Sequence, residues 1–440
     1  MKKNIIIPVL LFMFSTITNA QNISLSFPAL AKEKGTIYFF QGKTLDSIPI
    51  VLNDQGKAIL PFPIIGFRGL IKCVFGTHGN WEAILAEPHL NMSSSDTTIT
   101  IENCNYLDSK ENNFMKKAFS QKMQIQKEEQ WIAQGLNLYK PSDKIYTSLK
   151  NQDKTLKKNK ADLQKEIETS SLYAGEFLDL LNFYDQVEQL QVSKNELLIK
   201  EIKIYLNTRF NPHTLYRAGT LWQSFFNYWI TFYIEAYPNK EAQELFAQNV
   251  ISSQKGLQEP LRSALLNQAV HVCEEYPFSD AQATLVTYMA QQGLLVETEN
   301  PEINKILYMS KVLPGHTAPD IILNEQRKMS TLQANHFFII FYQTGCSHCD
   351  QELQELQKHY LTLKNKGVEI ISISADTDLE FNKLQSEKLS WHYKLCDGQG
   401  AYGDNFINYG ILLTPTIFVL DKNLKVVGRY AKLEETGLLN

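Results

Sequence analysis

One stretch constrains this chain more than any other: Phe337-Phe-Ile-Ile-Phe-Tyr-Gln-Thr-Gly-Cys-Ser-His-Cys-Asp-Gln-Glu352. The apolar run from Phe337 to Tyr342 predicts a strand that breaks at Gly345. After Cys346-Ser347-His348-Cys349, the residues Leu353, Leu356, His359, Tyr360 and Leu363 recur at helix spacing. Two cysteines three apart in the first turn of a helix lie one above the other, near enough to close a small disulfide ring. Cys346 would stand at the helix N-terminus, where unpaired N–H groups and the helix dipole favour a thiolate, and is expected to be the attacking sulfur. Cys349, one turn inside, is expected to resolve the mixed disulfide and form the redox disulfide with Cys346.

Other uses of Cys-x-x-Cys fit less well. Haem attachment needs a histidine directly after the second cysteine, where Asp350 stands, and a zinc site needs a second ligand pair, whereas the other four cysteines are scattered singly. Nine histidines show no metal-ligand spacing, so neither metal nor cofactor is expected.

The C-terminal part carries further pieces in a fixed order: Pro314-Gly-His-Thr-Ala-Pro-Asp320, a second apolar strand Val368-Glu-Ile-Ile-Ser-Ile-Ser374, the turn Asp397-Gly-Gln-Gly400, and Leu413-Thr-Pro-Thr-Ile-Phe-Val-Leu-Asp421. With the dithiol, these resemble the thioredoxin superfamily, most closely its TlpA/ResA-like branch of envelope thiol-disulfide oxidoreductases. The resemblance implies an α/β thioredoxin fold over residues 313–440 and exchange of disulfides with protein substrates. It also implies a cis Pro415 facing the dithiol, since only an X-Pro bond adopts cis at small cost, with Thr414 presenting backbone to an extended substrate segment. Glu352 matches an acidic residue of ResA-like proteins and, three residues after Cys349, could take the buried thiol's proton; an ordinary exposed helix carboxylate is the alternative.

Two departures bear on chemistry. Gly345 replaces the tryptophan that usually precedes the first cysteine, with Tyr342 at a second aromatic position, so the rim offered to substrates is altered. The inner dipeptide Ser347-His348 resembles protein disulfide isomerase, and an imidazole that favours the Cys346 thiolate makes the disulfide a stronger oxidant. Resemblance to the branch points to a reductase, while His348 keeps an oxidase or isomerase open. A peroxiredoxin shares the entry segment at Pro314, but Ile339 and Gln343 stand where its proline and threonine are required. A redox-sensing binding protein is the alternative from another class.

Ahead of this domain the reading is coarser. Lys2-Lys3, an apolar core from Ile5 to Met13 and Thr18-Asn19-Ala20 predict a signal peptide over residues 1–20, hence a periplasmic or envelope location and no permanent membrane span. Residues 21–108 read as a β-sandwich, from alternating runs such as Gly35–Phe40, Ile48–Leu52, Ala58–Leu60, Leu70–Phe75 and Thr97–Ile101. Asp46-Ser47 and Asp54-Gln-Gly56 there resemble, over short pieces, a β-rich domain that precedes thioredoxin modules in envelope proteins. Residues 109–312 switch to helix spacing and predict an all-α bundle of seven or eight helices, with stripes at Ala174, Phe177, Leu178 and Leu181, at Leu221, Phe225, Tyr228, Trp229 and Phe232, and at Leu266, Ala269, Val270 and Cys273.

Alternation puts Cys73 on an apolar strand face and Cys104 on the polar face of Thr100 and Glu102, which disfavours a bond between them. It also puts Trp391, Tyr393 and Leu395 on one face and Cys396 on the other, at the sheet rim that holds the dithiol, where Cys396 is either a third thiol or a small filler. A net charge of −4 argues against nucleic acid. The partners expected are thiol- or disulfide-bearing envelope proteins and an upstream electron donor or acceptor.

Overall fold

Short alternating runs ahead of the helical stretch can bury only one face each, and two such sheets satisfy each other by closing over a shared core. The computed structural model describes residues 21–276 and 278–439; the expected signal peptide, 1–20, lies outside the described residues. Eight strands open the described chain: β1 (Asn22–Ser26), β2 (Lys34–Gln41), β3 (Thr44–Val51), β4 (Lys57–Pro61), β5 (Gly69–Val74), β6 (Asn80–Leu85), β7 (His89–Ser93) and β8 (Asn105–Leu107). They form two four-stranded sheets, ordered β4-β1-β7-β8 and β3-β2-β5-β6. Ile23, Leu25 and Met92 of the first share one apolar cluster with Ile37, Phe39 and Ile71 of the second.

The strand expected at Thr97–Ile101 does not form. Ile99 makes only an isolated bridge to Gly79, and the chain then turns, with Asn103 Oδ1 accepting from Thr100 N at 2.8 Å. Because the turn breaks the two-residue period, Cys104 is not on a polar face. It is fully buried in the same cluster as Cys73, and both thiols are free.

The helical stretch contains ten α-helices among the described residues rather than seven or eight: α1 (Lys110–Leu138), α2 (Lys144–Glu168), α3 (Tyr173–Ser193), α4 (Glu196–Ile204), α5 (Pro212–Tyr216), α6 (Leu221–Ala236), α7 (Asn239–Ser253), α8 (Leu261–Glu275), α9 (Ser279–Gln291) and α10 (Pro301–Met309). Part of the excess arises where a π-helical turn, Tyr205–Arg209, follows α4 and separates it from the short α5. The aromatic stripe on α6 is core, with Phe225, Trp229 and Phe232 all buried, as is Cys273 on α8. By packing, the chain divides into two compact units. One runs to Asn182 and takes in His213–Trp222; the other comprises Phe183–Pro212 and Gln223–Asn440.

At the C-terminal end a small hairpin, β9 (Ile322–Asn324) and β10 (Arg327–Lys328), precedes β11 (His336–Tyr342), α11 (Ser347–Asn365), β12 (Val368–Ser374), α12 (Leu379–Ser386), β13 (Tyr393–Cys396), α13 (Asp404–Asn408), β14 (Thr416–Asp421) and β15 (Val426–Tyr430). The sheet order is β13-β12-β11-β14-β15, with β11, β12 and β13 parallel and β14 and β15 antiparallel to their neighbours. A central strand covered on both faces must be apolar on both. Phe337, Ile339 and Phe341 accordingly enter one core cluster, while Phe338, Ile340 and Tyr342 enter another that includes Cys349. Antiparallel pairing of β11 with β14 brings the end of the first beside the start of the second, so the dithiol and Thr414-Pro415 reach the same rim. No helix among the described residues is long and apolar enough to cross a membrane.

Candidate active site

Cys346 is the N-cap of α11, with extended backbone angles, and its carbonyl accepts the first helical bond from Asp350 N at 2.9 Å. Its thiol is half-exposed and points at the carbonyl of Thr414, 4.0 Å away. The Thr414–Pro415 bond is cis. Cys349 is fully buried beneath, and both sulfurs are free thiols in this structure. Burial pushes the Cys349 thiol up to about 12, and the Cys346 thiol beside it adds to the rise. The arrangement therefore has one accessible sulfur and one that reacts only after losing a firmly held proton.

Glu352 is half-buried, and its Oε2 accepts from Leu433 N at 2.8 Å. Burial raises its carboxyl above the ordinary range, partly offset by that N–H and by Lys432. It is thus neither the freely exposed carboxylate of the plainer alternative nor a group hydrogen-bonded to a cysteine. His348 is exposed on the first turn of α11. Gly345 has φ +82°, and a Cβ there would meet nothing within 4 Å, so backbone conformation rather than space favours glycine over a tryptophan. Tyr342 is only 2% exposed and packs in the core cluster with Cys349, yet it also lines the pocket beside Thr344, Gly345 and Asp350.

One anchoring residue escaped the reading of the sequence. Asp376, just past the end of β12, accepts from Thr344 N at 3.0 Å, Thr344 Oγ1 at 2.5 Å and Asn382 Nδ2 at 2.9 Å. Burial alone would raise its carboxyl, but these hydrogen bonds outweigh it and hold Asp376 below the usual range. An ionised carboxylate thus clamps the loop two residues ahead of Cys346. The only signal available was its place after a parallel strand ending at the same rim.

Cys396 ends β13, pairs with Ser374 and donates its thiol to the carbonyl of Asp376 at 3.2 Å. Tyr393 and Leu395 share one cluster, but Trp391, which precedes the strand, packs in the other and donates to Ser372 Oγ; alternation did not extend back to it. Two strands, β12 and β11, lie between β13 and β14, so roughly 14 Å separates the outer pair. Cys346 sits on the β14 side, against Thr414.

The model of the AhpC/TSA family matches residues 314–429, starting at the entry segment. Over 125 residues the chain is 30% identical to the thiol-disulfide oxidoreductase ResA of Geobacillus thermodenitrificans (strain NG80-2), covering 26% of this chain and 67% of that one. The chain belongs to the ResA-like thiol-disulfide oxidoreductases of the thioredoxin superfamily. It is also 28% identical over 148 residues to ResA of Bacillus thuringiensis (strain Al Hakam), 32% of this chain and 77% of the relative. A domain of a possible thiol-disulfide isomerase from Cytophaga hutchinsonii ATCC 33406 aligns at 26% identity and TM-score 0.25, covering 29% of this chain and 89% of that one. The ResA-like region of this oxidoreductase is its thioredoxin-fold C-terminal part; the β-rich and helical parts precede it.

Proposed function

We propose that this oxidoreductase works in the periplasm as a reductant of protein disulfides, through Cys346 and Cys349. The observation that carries the reading is the half-exposed Cys346 thiol facing the Thr414 carbonyl at the cis proline, above a buried Cys349. The Cys346 thiolate attacks one sulfur of a client disulfide; that S–S bond breaks, a mixed disulfide forms, and the departing client sulfur takes up a proton. Cys349 then gives its proton to Glu352 and attacks Cys346 Sγ. The second client thiol leaves and the Cys346–Cys349 disulfide closes. Two electrons and two protons have passed to the client, and a dithiol-bearing donor must restore them. Thr414 and Pro415 hold the client segment, and export by residues 1–20 supplies the oxidising compartment. The exposed His348 beside Cys346 favours the second reading, an oxidase or isomerase.

Equilibration against glutathione decides direction: a potential near about −270 mV supports a reductase, whereas about −120 to −180 mV would replace it by an oxidant or isomerase. Glu352 sets a second expectation. A carboxyl raised by burial stays protonated above the ordinary carboxylate range and accepts no proton there, so the resolving step should speed up as pH rises through that elevated pKa. Glu352→Gln should remove this acid limb and slow resolution by about 100-fold in rapid-mixing measurements. An unchanged limb would exclude Glu352 as the acceptor.

A further inference from the structure

The helices α8 and α9 lie in the same compact unit as the thioredoxin-fold part and touch it at a telling place. Glu274, in the last turn of α8, accepts through Oε1 from Thr416 Oγ1 at 3.1 Å and from the guanidinium of Arg429 on β15, and through Oε2 from Gln282 Nε2 of α9 at 2.6 Å. The ion pair is close to sealed, with side-chain exposures of 9% for Glu274 and 13% for Arg429, and Arg429 also donates to the Gly410 carbonyl at 3.2 Å. A charge pair taken out of water survives only where its remaining hydrogen bonds are satisfied, as they are on both partners here. Thr416 directly follows the cis proline, and its hydroxyl is shared between Glu274 and the Leu413 carbonyl at 2.8 Å, bracketing Thr414 and Pro415.

Beside this network a cleft of about 260 Å³ opens. Pro415, Tyr430 and Ala431 line one side of it, and Gln243, Tyr276 and Ser279 of the helical stretch line the other. The helical wall is itself pinned, because Gln243 Oε1 accepts from Asp280 N at 2.8 Å and Ala281 N at 3.2 Å at the start of α9. The charges around the cleft are already engaged: Glu274 by Arg429, and Glu435 by the N–H groups of Ala431 and Lys432. What remains is a polar, side-chain-sized space continuous with the cis-proline edge.

We infer that this cleft is a client subsite. It takes the extended segment of a protein client next to the cysteine bonded to Cys346, and Glu274 is the positioning residue that holds the cis-proline loop against the helical wall. The inference rests on the disulfide-exchange reading of the dithiol and assigns the helical stretch a share in client choice. An extended chain lying along Thr414 and Pro415 has this cleft as its continuation, whereas a small disulfide ends before it.

The test compares kcat/KM for insulin with kcat/KM for oxidised glutathione, using the full chain. Ser279→Trp fills the cleft from an exposed helix start, and the insulin-to-glutathione ratio should fall about tenfold through the KM for insulin. Glu274→Gln should shift the ratio in the same direction, with Glu274→Asp restoring part of it. Ser279→Trp remains decisive should the unpaired Arg429 prevent the Glu274 variant from folding. A ratio unchanged in Ser279→Trp overturns the subsite while leaving exchange intact. A wild-type protein inactive toward both substrates overturns the exchange reading and the subsite together.

Discussion

Cys346→Ser should abolish disulfide exchange, lowering insulin reduction by at least about 1,000-fold, because an alcohol at neutral pH is neither ionised nor a competent leaving group in this reaction. Cys349 cannot substitute. It is fully buried, and burial, the largest cause of the rise in its thiol pKa, persists without Cys346 and keeps it protonated and out of a client's reach. Loss of fold cannot supply the same result, since Cys346 is the N-cap of α11 and serine is among the preferred residues there. Thermal unfolding of the variant should therefore match or slightly exceed that of the wild type. Turnover that persisted in Cys346→Ser would remove the dithiol from the mechanism.

Cys349→Ser should turn the enzyme into a trap. Cys346 still attacks, but no sulfur lies beneath to release it, so the mixed disulfide with the client should live about 1,000-fold longer and appear on non-reducing gels. Cys396 tests how complete the block is. Its strand lies two strands from β11, whose loop carries Cys346, roughly 10 Å away, against the roughly 7 Å between Cα atoms that a disulfide tolerates. Trapping should then be equal in Cys349→Ser and in Cys349→Ser with Cys396→Ala. Faster release in the single variant would reinstate Cys396 as a third thiol.

Where periodicity ran unbroken, side-chain placement could be read ahead of the structure. The doubly buried β11, the helix after Cys346 and the stripe Leu266, Ala269, Val270, Cys273 all lie where their spacing put them. Where a turn interrupted the period, the reading failed. Cys104 lies inside because the Thr100–Asn103 turn resets the alternation, and Trp391 packs away from Tyr393 because it precedes its strand. The helix count failed for a related reason, since the π-helical turn after α4 leaves no mark on an apolar stripe.

The sequence by itself determined the chemistry: a strand, a sharp break and two cysteines one helical turn apart are local, and local spacing dictates which sulfur stands at the helix end and which lies under it. Only the tertiary structure decided what surrounds them. The Asp376 clamp on Thr344 spans 32 residues and the Glu274 bond to Thr416 spans 142, and Glu352 meets Leu433 across 81. Asp376 and Glu274 look like ordinary surface acids in the sequence, and only Glu352 stood out there, by its place three residues after Cys349. Their partners, and the directions in which the Asp376 and Glu352 carboxyl groups are shifted, exist only once the fold has brought distant chain segments together.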